Sequence, residues 1–149
     1  MQFTLDQHPT ANLVTYIGPD GSRIGQQHIT RSFILSATEV ISDWPVYTAA
    51  ALDREALAPA LARGPEILIL GTGERAWFPA AVLYAELASH GNGLEVMDTA
   101  AACRTYNVLV NEDRPVVAAL ILPRGDQYTW HLAAGRGRTE DLELCASGS

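Results

Sequence analysis

Lysine is absent from this 149-residue chain; all ten of its basic residues are arginine. The absence excludes a Schiff-base lysine, a phosphate-loop lysine and a lysine general base. What remains is the guanidinium fork, suited to carboxylates and phosphates. A chain rich in Ala and Arg and empty of Lys also carries the mark of a GC-rich coding sequence, and the exclusion holds either way. Cysteine is scarce: Cys103 and Cys145 form neither a disulfide framework nor a metal pattern. No apolar run approaches the ~20 residues of a membrane span. Met1 to Pro9 lacks the basic stretch and apolar core of a signal peptide. Positive charge is short overall, and a formal net charge of -7 argues against a nucleic-acid partner held by overall charge. These absences predict a soluble, cytoplasmic chain with no transmembrane segment.

Hydrophobic residues make up 48% and charged residues 18%, the balance of a chain that folds around a core. We read one α/β domain over 1–123 and a partly ordered C-terminal extension over 124–149. Residues 1–11 are polar. Leu13 to Ile17 reads as a strand, and Gly18-Pro19-Asp20-Gly21-Ser22 is a turn signal. Arg23 to Ile29 is placed to fold back as a hairpin. Ser32 to Ser36, followed by Val40 and Ile41, completes an N-terminal antiparallel β layer. Asp53 to Arg63 is helical in character, with Asp53 at its N-cap. Pro59 within it predicts either two short turns or a helix beginning near the proline.

A βαβαβ unit follows. Ile67-Leu68-Ile69-Leu70 is a short apolar run that breaks into Gly71-Thr72-Gly73. A helix starting near Pro79 ends at Gly91-Asn92-Gly93. Leu94-Glu95-Val96-Met97 is the second strand. Asp98 or Thr99 caps a second helix whose buried stripe is Ala102, Cys103, Tyr106, Leu109 and Val110. Val116 to Leu122 is apolar without alternation, as in a strand covered on both faces. Strands joined through helices by right-handed crossovers run parallel. In the tail, Tyr128, Trp130 and Leu132 are placed to pack back onto the domain.

Polar and glycine residues at two parallel strand ends fall where such sheets keep ligands. Gly71, Thr72 and Gly73 let a chain turn tightly and let an anion approach main-chain N–H groups. No third glycine completes a dinucleotide fingerprint. A turn requiring positive φ explains the glycines equally. Asp98 and Thr99 read as caps. Arg104 either pairs internally with Asp98 or aims its fork at an anion near the helix start. Thr105 and Asn107 are placed to bond to neighbouring loops, and Tyr106 is core with its hydroxyl at the edge. The histidines His8, His28, His90 and His131 share no ligand spacing, so no metal is expected. Cys103 lies on the buried stripe, as a packed thiol does. No nucleophile or acid–base pair of known mechanism stands out, and the sequence implies no cofactor.

Taken together, Pro65 to Gly73, Glu95 to Thr99, Ala102-Cys103-Arg104-Thr105-Tyr106-Asn107 and Arg114 to Leu120 resemble the adipogenesis-associated Mth-domain family. That family includes a mitochondrial complex I assembly factor and many uncharacterised bacterial members. The resemblance covers roughly residues 13–123; the tail and the Gly91-Asn92-Gly93 loop depart from it. It implies a three-layer β/β/α domain with a mixed sheet and no established reaction. Two readings follow. The first is a non-enzymatic protein-binding or complex-assembly module. The alternative is a protein, enzymatic or not, that binds a small anionic ligand through Gly71, Thr72, Gly73, Asp98, Thr99, Arg104, Thr105 and Asn107.

Overall fold

Val116–Leu120, here β8, lies at the centre of a five-stranded sheet, and every one of its side chains is buried. The structure, a computed structural model, describes residues 11–122. Strand order in this sheet is β5-β4-β8-β6-β7. It is built from β4 (Phe33–Ser36), β5 (Val40–Ser42), β6 (Ile67–Gly71), β7 (Gly93–Met97) and β8. β6 runs parallel to both β7 and β8, as expected of strands joined through helices. β4 is antiparallel to β8, with Phe33 opposite Leu120. The sheet is therefore mixed.

Period-two alternation divides the core cleanly between the two faces of this sheet. Phe33, Leu35, Ile69, Ala118 and Leu120 point one way, and Ile34, Leu68, Leu70, Val117 and Ala119 the other. The first face is covered by α3 (Thr99–Asn111) and by a second, three-stranded antiparallel sheet. That sheet is a meander of β1 (Val14–Gly18), β2 (Gly21–Ile24) and β3 (Gln27–Ile29). The second face is covered by Trp44, Val46 and Leu57 and by two helices, α1 (Ala58–Leu61) and α2 (Ala81–Ser89). The chain steps from β6 outward to β7 through α2, then back across β6 to β8 through α3. A fixed crossover hand puts helices of opposite steps on opposite faces, and the two faces are used accordingly.

Two expectations are corrected. The N-terminal strands do not form one layer: β1–β3 make the small sheet, whereas β4 and β5 join the large one. The large sheet leaves β8 a free edge, and β4 fills it. The Arg23–Ile29 hairpin forms, with β1 added as a third strand. Over Asp53–Arg63 the helix begins beside Pro59, one of the two expected alternatives, and runs over Ala58–Leu61, but its N-cap is Leu57 and not Asp53. Pro59 sits in its first turn, and Asp53 Oδ1 instead accepts from Ala56 N–H at 2.7 Å. The next helix starts near Pro79 as expected, at Ala81. The polar N-terminus and the tail fall outside the described residues, apart from Ala11.

Leu120 is fully buried beside Gly71. Leu120→Ala is expected to cost about 2–5 kcal/mol in urea unfolding, because rigid sheet neighbours limit collapse into the space it leaves.

Candidate functional site

The C-terminal ends of β6 and β8 and the start of α3 converge on one side chain, Thr99. Its hydroxyl accepts from Gly73 N–H at 2.8 Å and donates to the Ile121 carbonyl at 2.9 Å. Its own N–H donates to the Gly73 carbonyl at 2.8 Å. Gly73 takes φ 99°, a conformation that glycine adopts without strain. Gly71 is needed for closeness: a Cβ there would meet Thr99 Cα at 2.9 Å. Thr72 organises the following loop. Its N–H donates to the Met97 carbonyl at 3.0 Å, its hydroxyl donates to the Arg75 carbonyl, and that oxygen accepts from Trp77 N–H at 2.9 Å.

Asp98 is the N-cap of α3, with Oδ1 accepting from Ala101 N–H at 2.8 Å. The Asp98–Arg104 ion pair is not formed. Six residues along a helix is about two-thirds of a turn away in angle, so the two side chains point in different directions. Arg104 makes no ion pair among the described residues. Thr105 Oγ1 donates to Met97 Sδ at 3.4 Å, fastening α3 to β7. Asn107 reaches across to β1: its amide donates to the Val14 carbonyl and its carbonyl accepts from Val14 N–H, both at 2.9 Å. Tyr106 is buried and donates to the Asn12 carbonyl at 2.8 Å, and its burial pushes the phenol well above its ordinary pKa. Cys103 is buried on the stripe expected for it.

Gly71, Thr72, Gly73, Asp98 and Thr99 are thus brought together, while Arg104, Thr105 and Asn107 fan out along α3. The amides of Thr72 and Gly73 already donate within the protein. Among the described residues, no three His, Cys, Asp or Glu side chains are placed to share a metal ion. An open groove of about 380 Å³ lies at the opposite ends of β6 and β8, beside Arg63, Gly64, Arg114 and Pro115. Its arginines are engaged with carboxylates, Arg63 with Glu39 at 2.8 Å and Arg114 with Glu66 at 4.0 Å.

One feature escaped the sequence reading. Trp77 and Phe78, in the loop that Thr72 organises, are 52% and 64% exposed, and Val82 on α2 is 64% exposed. Trp77 and Phe78 are consecutive in that loop, and Val82 follows four residues later in the first turn of α2. The signal was an aromatic pair wedged between a glycine turn and Pro79, with no strand or helix to bury it.

Residues 14–121 match the family described as "Protein of unknown function (DUF498/DUF598)", and the chain belongs to it. A protein of Bordetella parapertussis superposes with a TM-score of 0.71 at 33% identity, covering 76% of this chain and 97% of that one. A Bordetella pertussis protein described as a Mth938-like domain superposes with a TM-score of 0.67 at 30% identity, over 76% of this chain and 87% of its own. The resemblance to the Mth-domain family is borne out. A "13 kDa major membrane protein" of Francisella tularensis is 36% identical over 89 residues, 59% of this chain and 72% of that protein. The Danio rerio "NADH dehydrogenase [ubiquinone] 1 alpha subcomplex assembly factor 3" is 47% identical over 58 residues, 39% of this chain. The chain spans 33% of that assembly factor's length. Among the described residues, no helix is long and apolar enough to cross a membrane.

Two outcomes test the strand-end geometry. Thr99→Val strands the Gly73 donor and the Ile121 acceptor, and is expected to cost about 1–3 kcal/mol per orphaned group, with Thr99→Ser recovering most of it. Arg104→Met should stay within about 0.5 kcal/mol of wild type. Both are read by chemical denaturation. Asn107→Ala should speed amide exchange across β1–β3 before it affects β6–β8, because it releases the clip on the small sheet.

Proposed function

We propose that this chain is a non-enzymatic protein-binding module of the assembly-factor type, which engages its partner through Trp77, Phe78 and Val82. The carrying observation is that two aromatics and a valine, within six residues of one another, are each more than half exposed beside a strand end where the Thr72 and Gly73 amides already have internal acceptors. Exposed apolar surface marks interaction sites, and aromatics serve as their anchors. The likeness to a complex I assembly factor supports the same reading and suggests a respiratory-complex subunit as partner. The other solution, a small anion at the strand ends, would rest on Arg104 alone, because the Thr72 and Gly73 amides have internal acceptors.

Co-expression with subunits of an NADH dehydrogenase tests it. A stoichiometric complex is expected from the wild type. Trp77→Ser with Phe78→Ser should weaken it by about 2 kcal/mol or more, roughly thirty-fold in Kd, while the melting temperature holds. No complex, or one indifferent to both substitutions, overturns the reading. Phosphate-dependent thermal stabilisation abolished by Arg104→Met would support the anion instead.

A further inference from the structure

We propose that the outer edge of β7 is a docking site for an extended segment of another protein, which adds to the sheet as a strand and sets a basic side chain against Glu95. The inference goes beyond the reading of Trp77 and Phe78 and uses neither side chain.

The backbone makes the site. β7 pairs with β6 on one side and ends the sheet on the other. In a parallel ladder, residues bonded to the neighbour alternate with residues that face away. Gly93 N–H donates to the Glu66 carbonyl at 2.8 Å, and the Met97 carbonyl accepts from Thr72 N–H at 3.0 Å. Gly93, Glu95 and Met97 therefore face β6, and Leu94 and Val96 turn their N–H and C=O groups outward. Among the described residues, no loop or side chain bonds to those groups. A row of this kind is a template for an added strand.

The other edges of the two sheets are shorter or closed. β3 and β5 run three residues each, and Asp43, directly after β5, takes φ 76°. β1 has an irregular register between Val14 and Tyr16, and Asn107 occupies both backbone groups of Val14. β7 keeps five residues in unbroken register and contains no proline.

Charge selects the occupant. Leu94 and Val96 are half-buried against the core beneath α2, whereas Glu95, on the opposite face of the strand, is exposed. Glu95 makes no ion pair among the described residues. A second copy of this chain is a poor fit. The two-fold antiparallel register that uses all of β7 sets Glu95 directly opposite itself, where like charges destabilise. An arginine or lysine at that place supplies the missing cation. Apolar residues on either side of it extend the half-buried row of Leu94 and Val96 on the other face.

The test uses the full chain and two capped peptides, Thr-Thr-Val-Arg-Val-Thr-Thr and its counterpart with Glu in place of Arg. Hydrogen exchange is followed by NMR, and Kd comes from the chemical-shift titration. In the free protein the Leu94 and Val96 amides should exchange fast and the Glu95 amide slowly. At ten times Kd the arginine peptide should slow Leu94 and Val96 about tenfold, and the glutamate peptide should not. Glu95→Lys should reverse that preference. Val96→Pro, allowed where an N–H faces outward on an edge, should abolish binding of the arginine peptide while the melting temperature holds. Glu95→Lys carries the test if Val96→Pro unfolds. Absence of protection by the arginine peptide, or protection indifferent to the charge at position 95, overturns the proposal. So does slow exchange of Leu94 and Val96 in the free protein, whether it persists on dilution, as when the chain covers its own edge, or is lost, as with a second copy. Trp77→Ser with Phe78→Ser should leave the peptide's protection unchanged, so the partner assay above succeeds or fails separately.

Discussion

The ends of β6 and β8 and the start of α3 are joined through the hydroxyl of Thr99. One oxygen, on a residue 5% exposed, takes the first N–H after the β6 turn and gives its own proton to the carbonyl that ends β8. Buried main-chain groups must find partners. At this junction neither the β6 ladder nor the α3 helix can supply them, because both have just ended or just begun. A side chain with one donor and two lone pairs is the smallest group that serves both sides. The close approach that allows this requires Gly71 to have no Cβ. The strand-end glycines are thus explained first by packing, and a ligand would have to be accommodated around a junction that is already closed.

Most of the architecture was legible because the chain's local signals agree with its global fold. Val116 to Leu122 reads as doubly covered because it is, with Ala118 and Leu120 toward one core and Val117 and Ala119 toward the other. Asp98 reads as a cap and caps. The assignment of β4 and β5 was not legible. Nothing local to Phe33–Ser36 says whether it pairs with the hairpin before it or with a strand eighty residues later, since sheet pairing is decided by which edge is left open. The same limit hid the exposed aromatics. Polar residues at strand ends attract attention, yet here their hydrogen bonds are mutual. Trp77 and Phe78 look like core residues on composition, and only the topology leaves them in solvent.

The small sheet shows how a domain can be assembled from parts that share no ladder. β1–β3 are tied to α3 by the paired bonds between Asn107 and Val14 and by Tyr106 on Asn12, and they contribute Val14, Ile17, Ile24 and Ile29 to the first core. Asn107 gives its amide group to β1 much as another strand would give a peptide unit. Apolar contact supplies the attraction there, and the carboxamide supplies the register.

A similar substitution occurs at Ser32, with a different result. Its Oγ accepts from Leu122 N–H at 2.8 Å and donates to the Leu122 carbonyl at 3.2 Å, extending the β4–β8 pairing by one residue through a side chain. Both backbone groups of Leu122 are thereby held in a buried place. Ser32 thus stands in for one more residue of β4, and without its hydroxyl a buried N–H and a buried C=O at the end of β8 would each lose the partner they have in the core.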